Sequence, residues 1–115
     1  MGGRLKLLGL SEAQYHAVLE AKRQLKQEFP VEKLIVFGSV ARGEADEESD
    51  LDLLVITSEP ATHRIRNRMS DVIFEINLKY GTNLSIVVVE KSLWNEGILS
   101  LTPFYEEVQR EGVSV

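Results

Sequence analysis

Two short runs that read as buried strands, Lys33-Leu-Ile-Val-Phe37 and Asp50-Leu-Asp-Leu-Leu-Val-Ile56, stand only about a dozen residues apart. The link carries one short helical signal, through Val40, Ala41 and Arg42, ended by Gly43. An acidic stretch follows, Glu44 to Ser49, whose only apolar residue is Ala45. A parallel crossover needs a dozen or more residues and usually a whole helix. This link is short for that, so the pattern alone leaves the relative direction of the two strands open.

The flanking segments alternate between helix and strand. Ser11 is a good N-cap, and Ala13, Ala17, Val18, Ala21, Leu25 and Phe29 recur at helical spacing up to Pro30, which stops the helix. A second helical period runs from Thr62 to Tyr80 through Ile65, Met69, Val72, Ile73 and Ile76, with Gly81 as its terminator. Leu84-Ser-Ile-Val-Val-Val89 is the most β-branched run and predicts a third strand. A short helix near 91–96 and a last helix opened by Pro103 and ended by Gly112 follow, and Val113-Ser-Val115 predicts a small edge strand. The fold class is therefore α/β (α+β): a small mixed sheet flanked by helices, in a single domain over residues 5–115.

The chain of 115 residues is long enough to bury a core without staples. It has no cysteine, which removes disulfides, thiolate metal sites and a cysteine nucleophile and fits a reducing, cytoplasmic setting. No apolar run approaches the roughly 20 residues of a membrane span, and the N-terminal stretch is too broken for a signal segment, so a soluble protein is expected. The net charge of −5 argues against a broad nucleic-acid surface. It leaves room for a nucleotide, because a divalent metal inverts local charge. His16 and His63 are isolated, Arg64, Arg66 and Arg68 read as a solvated helix face, and Trp94, Phe104 and Tyr105 read as packing residues.

Chemistry concentrates in Gly38-Ser39, ten residues, then Asp50-Leu51-Asp52. Residues two apart on a strand point to one face, so Asp50 and Asp52 project together. Two like charges so placed repel unless a cation lies between them. Mg²⁺ suits the place, since it is commonly held by one or two carboxylates plus substrate phosphates. Gly38 permits a sharp turn and close ligand approach, and N–H groups at a helix start form an anion site to which Ser39 adds a hydroxyl. Arg42 is placed either to contact a phosphate or to pair with the acidic loop. No Walker motif is present. Either half of the motif alone occurs in ordinary turns and strand edges; the combination carries the specificity.

Phe37-Gly38-Ser39-Val40-Ala41-Arg42-Gly43 and Ser49-Asp50-Leu51-Asp52-Leu53 resemble the signature of the DNA polymerase beta-type nucleotidyltransferase superfamily. More narrowly, nearly the whole chain resembles its minimal nucleotidyltransferase branch. The resemblance implies nucleotidyl transfer from a nucleoside triphosphate, ATP above all, with Mg²⁺ held by Asp50 and Asp52 as catalytic residues. It implies nucleotide contacts at Gly38, Ser39 and Arg42. It also implies a helical partner of the HEPN class, a toxin that some such antitoxins adenylylate. Active members usually carry a third carboxylate on the following strand, where this chain has Ser85; Glu90, of opposite parity, is the alternative. Two functions stay in play: a Mg²⁺-dependent transferase acting on a hydroxyl of a protein or small molecule, and a catalytically weak nucleotide-binding module that acts by covering a HEPN-type partner.

Overall fold

The computed structural model describes residues 9–38, 41 and 50–115. Helix α1 spans Glu12–Glu28. Ser11 caps it through a reciprocal pair, accepting from the Gln14 amide at 3.1 Å while its own amide donates to Gln14 Oε1 at 2.9 Å. Strand β1 (Val31–Phe37) follows, then β2 (Leu51–Thr57), helix α2 (His63–Tyr80) and strand β3 (Leu84–Glu90). A short helix α3 (Lys91–Asn95), a 3-10 turn (Ile98–Leu101), helix α4 (Pro103–Glu111) and a two-residue strand β4 (Val113–Ser114) complete the chain.

The four strands form one sheet in the order β3-β2-β1-β4. The direction that the short link left open is antiparallel: β1 pairs β2 with Leu34 opposite Val55 and Phe37 opposite Asp52. β2 and β3 run parallel, joined by α2 as the crossover, with Asp52 beside Ser85. β1 begins two residues earlier than its apolar run suggests, because Val31 still pairs Thr57 across a register irregularity before Lys33. The 3-10 turn is also absent from the sequence expectation; it has no apolar periodicity long enough to announce it.

Strand parity divides the core in two. Leu34, Val36, Leu51, Leu53, Val55, Leu84 and Val88 face α1 and α2, meeting Ala17, Val18, Ala21, Leu25, Met69, Ile73 and Ile76. Each such fully buried aliphatic side chain contributes roughly 1.5–3 kcal/mol. Ile35, Leu54 and Ile56 face the other way, onto Trp94 and Val108 of the C-terminal segment. Phe104 stacks edge-on to Phe37 at 5.3 Å and to Trp94 at 5.8 Å. This second layer covers part of its face, and the part it leaves open carries Asp52, Ser85 and Val87.

α2 is framed as read: Thr62 caps it by accepting from the Ile65 amide at 3.1 Å, and Gly81 ends it in the left-handed conformation at φ 67°. Among the described residues no helix is long and apolar enough to cross a membrane.

Candidate active site

β2 brings the acidic pair to one edge of the open face. Asp52 is the second residue of β2 and half-buried; Asp50 lies just before the strand and is exposed. The Asp50 charge acts on Asp52. Burial, and secondarily that charge, raise the Asp52 carboxyl above the usual aspartate range. Its neighbours on that face are Phe37, directly across on β1 and edge-on to Phe104, and Leu54 two residues on.

Gly38 leaves β1 with φ +84° and lies against Asp52. A Cβ added there would stand 2.5 Å from Asp52 Oδ2, so a side chain would collide with the carboxylate as well as strain the backbone. Gly38 was expected for its turn and for close ligand approach. The structure adds that it makes room for Asp52 itself. Ser39 and Arg42, the other expected nucleotide contacts, lie outside the described residues, as does the acidic stretch Glu44 to Ser49.

Ser85 and Glu90 stand at different places on β3. Ser85 is in parallel register with Asp52, so its exposed side chain stands beside that carboxylate on the same face. Glu90 is five residues further along β3, of opposite parity. It accepts from the Ser92 amide at 3.1 Å and from the Ser92 hydroxyl, which caps α3 and lowers its carboxyl below the ordinary range. Glu90 is thus engaged at the far end of the sheet. Among the described residues no third His, Cys, Asp or Glu joins the aspartates. Glu75 is exposed on α2, as expected.

The donor set suits Mg²⁺. The Asp50 charge acts on Asp52, among the described residues no donor meets either carboxylate, and Gly38 leaves room for that of Asp52. Phe37 escaped the sequence reading as a site residue. Its place immediately before Gly38 was the available signal, but only the β1–β2 register puts its ring beside Asp52. The three arginines of the cluster are exposed on α2, as a solvated helix face requires, and two of them also make contacts. Arg66 donates to the backbone carbonyls of Ala61 at 3.2 Å and Val88 at 2.9 Å, and Arg68 lies 5.3 Å over the Phe29 ring.

Comparison with known proteins extends this geometry. Residues 18–111 match the family model described as a nucleotidyltransferase domain. A Methanocaldococcus jannaschii protein provisionally named a protein adenylyltransferase is 33% identical over 98 residues, covering 84% of this chain and 91% of that protein. The protein adenylyltransferase MntA of Thermococcus cleftensis is 36% identical over 77 residues, covering 67% of this chain and 73% of the relative. Among solved structures, one provisionally described as a minimal nucleotidyltransferase superposes with TM-score 0.62 at 30% identity, covering 90% of this chain and 94% of that one. A toxin–antitoxin crystal structure with AMP-PNP superposes with TM-score 0.57 at 14% identity, covering 86% and 69%, a likeness of fold alone.

Proposed function

We propose, as this chain belongs to the nucleotidyltransferase domain family, that it transfers AMP from Mg²⁺–ATP to a hydroxyl on a partner protein. The single observation that carries the reading is the close approach of Gly38 to Asp52, a carboxylate on which the Asp50 charge also acts. The names of the relatives support a protein as the acceptor. A HEPN-type helical partner and a cytoplasmic setting, in a single domain over 5–115, complete the proposal.

Mg²⁺ bound by Asp50 and Asp52 supplies neutralisation of the triphosphate in a chain whose net charge of −5 would otherwise repel it. Gly38 keeps the approach to the two carboxylates clear, and Ser39 and Arg42 are assigned to the phosphates. Phe37, braced by Phe104, borders the pair and excludes water from one side of Asp52. In the transfer, the acceptor oxygen bonds to the α-phosphorus, the bond from that phosphorus to the bridging oxygen breaks, and pyrophosphate leaves. The acceptor's proton goes to water, because Ser85 offers no comparable base.

That last point favours a second reading. With Ser85 in register beside Asp52, the chain keeps a nucleotide-binding pair without the third acid. It would then act as an antitoxin chiefly by covering its partner, with transfer slow. The experiment that separates the two incubates the protein with α-labelled ATP, Mg²⁺ and the protein encoded beside it. Label on the partner supports the transferase, and stable complex formation without label supports the covering module. Neither label nor complex would remove the partner from both readings.

A further inference from the structure

Strand β3 is an edge of the sheet, and it is nearly free of charge: Leu84-Ser-Ile-Val-Val-Val-Glu90. Such an edge invites strand addition unless something covers it. Helix α2 does so at two points. The Asn77 side-chain amide donates to the Leu84 carbonyl at 3.1 Å and accepts from the Leu84 amide at 2.8 Å, as a paired strand residue would. Arg66 donates to the Val88 carbonyl at 2.9 Å. Leu84 and Val88 therefore turn their backbone groups away from β2, and Ile86, midway and of the same parity, does likewise. Among the described residues nothing meets the outward amide and carbonyl of Ile86. At this gap lies a cleft of about 280 Å³ lined by Ser70, Ile73, Phe74, Asn77, Leu84, Ser85 and Ile86. Phe74 overhangs it and is 62% exposed, an unusual place for a phenylalanine.

We infer that the cleft between α2 and β3 seats an extended segment of the acceptor protein, which bridges to the Ile86 backbone and buries an apolar side chain under Phe74. The inference rests on the transferase reading and adds where the acceptor binds. Three features select an extended peptide rather than another ligand. The unmet groups are one backbone donor and one backbone acceptor on the same residue, which a strand residue matches with two bonds. Ile73, Phe74, Leu84 and Ile86 give the cleft an apolar part that suits its side chain, beside the polar Ser70, Asn77 and Ser85. Ser85 lines the cleft and is in register with Asp52 on the neighbouring strand, which places the cleft one strand away from the candidate active site.

Strand parity then fixes what the segment presents. The residue opposite Ile86 points under α2, and its immediate neighbours point to the face of Asp52. A hydroxyl residue directly adjacent to the buried apolar residue is thus carried to the side where the aspartates lie. The small, exposed Ser85 leaves the way across the strand open. Asn77 and Arg66 limit the match to one bridging residue, so the segment crosses the edge rather than extending the sheet.

The test uses the full chain, ¹⁵N-labelled, and a synthetic octapeptide in which serine alternates with valine between terminal lysines. Without nucleotide, the peptide is expected to shift the Ile86 amide resonance and slow its hydrogen exchange. Phe74→Glu, at an exposed position where folding is insensitive, should weaken that binding about tenfold, and alternate N-methylation of the peptide should do the same. Peptide binding that leaves Ile86 unmoved, equal binding by Phe74→Glu, or no binding at millimolar peptide would overturn the inference. Mg²⁺–ATP affinity, measured separately on the Phe74→Glu variant, should stay within about twofold of the natural chain. Loss of nucleotide binding by the natural chain would strike the transferase reading, whereas the peptide result alone decides the cleft.

Discussion

Two carboxylate environments in this molecule are opposites. Glu20, on α1, receives hydrogen bonds from Tyr80 at 2.6 Å, Gln24 at 2.7 Å and Lys79 at 3.0 Å. Those donors, Tyr80 foremost, hold its carboxyl below the usual range. Asp52 meets no donor among the described residues and is raised by burial and by the nearby charge of Asp50. The first carboxylate is completed by its own chain and ties α1 to α2. The second is left uncompensated, which a fold tolerates where something from outside supplies the positive charge.

The largest expected effect is at the glycine that makes the uncompensated pair possible. Gly38→Val places a branched side chain against Asp52 in a left-handed backbone. Nucleotide affinity should fall about a hundredfold or more, read by calorimetry alongside thermal denaturation. Loss of stability without loss of affinity would reduce Gly38 to a turn residue.

Ser85→Asp sharpens the contrast by adding a third uncompensated carboxylate in register with Asp52. Transfer of label from ATP should rise about tenfold or more, since a third acid adds metal binding and a base. An unchanged or lower rate in a variant that still binds nucleotide would exclude that position.

The two environments also respond oppositely to pH. Asp52 is raised in the folded chain, so its ionisation costs stability as pH climbs from the ordinary aspartate value through the folded one, and the cost persists at neutral pH. Asp52→Asn should therefore raise the melting midpoint of the metal-free protein at pH 7 by about 1–2 °C, solvent screening keeping the gain small. Glu20 is lowered, so its contribution is present above its ordinary value and lost as pH falls through the folded one. Glu20→Gln should cause the smallest change of the series: a slight loss at neutral pH that vanishes in acid. Parallel pH–melting profiles for both variants would abolish the distinction.

The helices, the third strand and the acidic pair were legible because each has a local cause. Ser11 and Gly81 mark ends through caps, and the strand signal that begins at Asp50 places Asp52 at the start of β2. The direction of β1 against β2 was not legible, because the length of a link bounds its geometry without setting it. Nor was Arg66, which reads like its neighbours Arg64 and Arg68 on the helix but reaches the β3 edge only through tertiary placement. The Phe37 ring beside Asp52 has the same origin: register, which no local pattern encodes. Ser85 was placed from the sequence by analogy of strand order, and the parallel register with Asp52 supplies the geometry that analogy lacked.

The central claim is that Asp50 and Asp52 together hold a metal–nucleotide complex. Titration calorimetry with a non-hydrolysable ATP analogue, with and without Mg²⁺, tests it on the natural chain, Asp50→Asn and Asp52→Asn. The account predicts Mg²⁺-dependent binding by the natural chain and a loss of about tenfold or more in each variant, with the fold intact. Equal Mg²⁺-dependent affinity in all three proteins would contradict it.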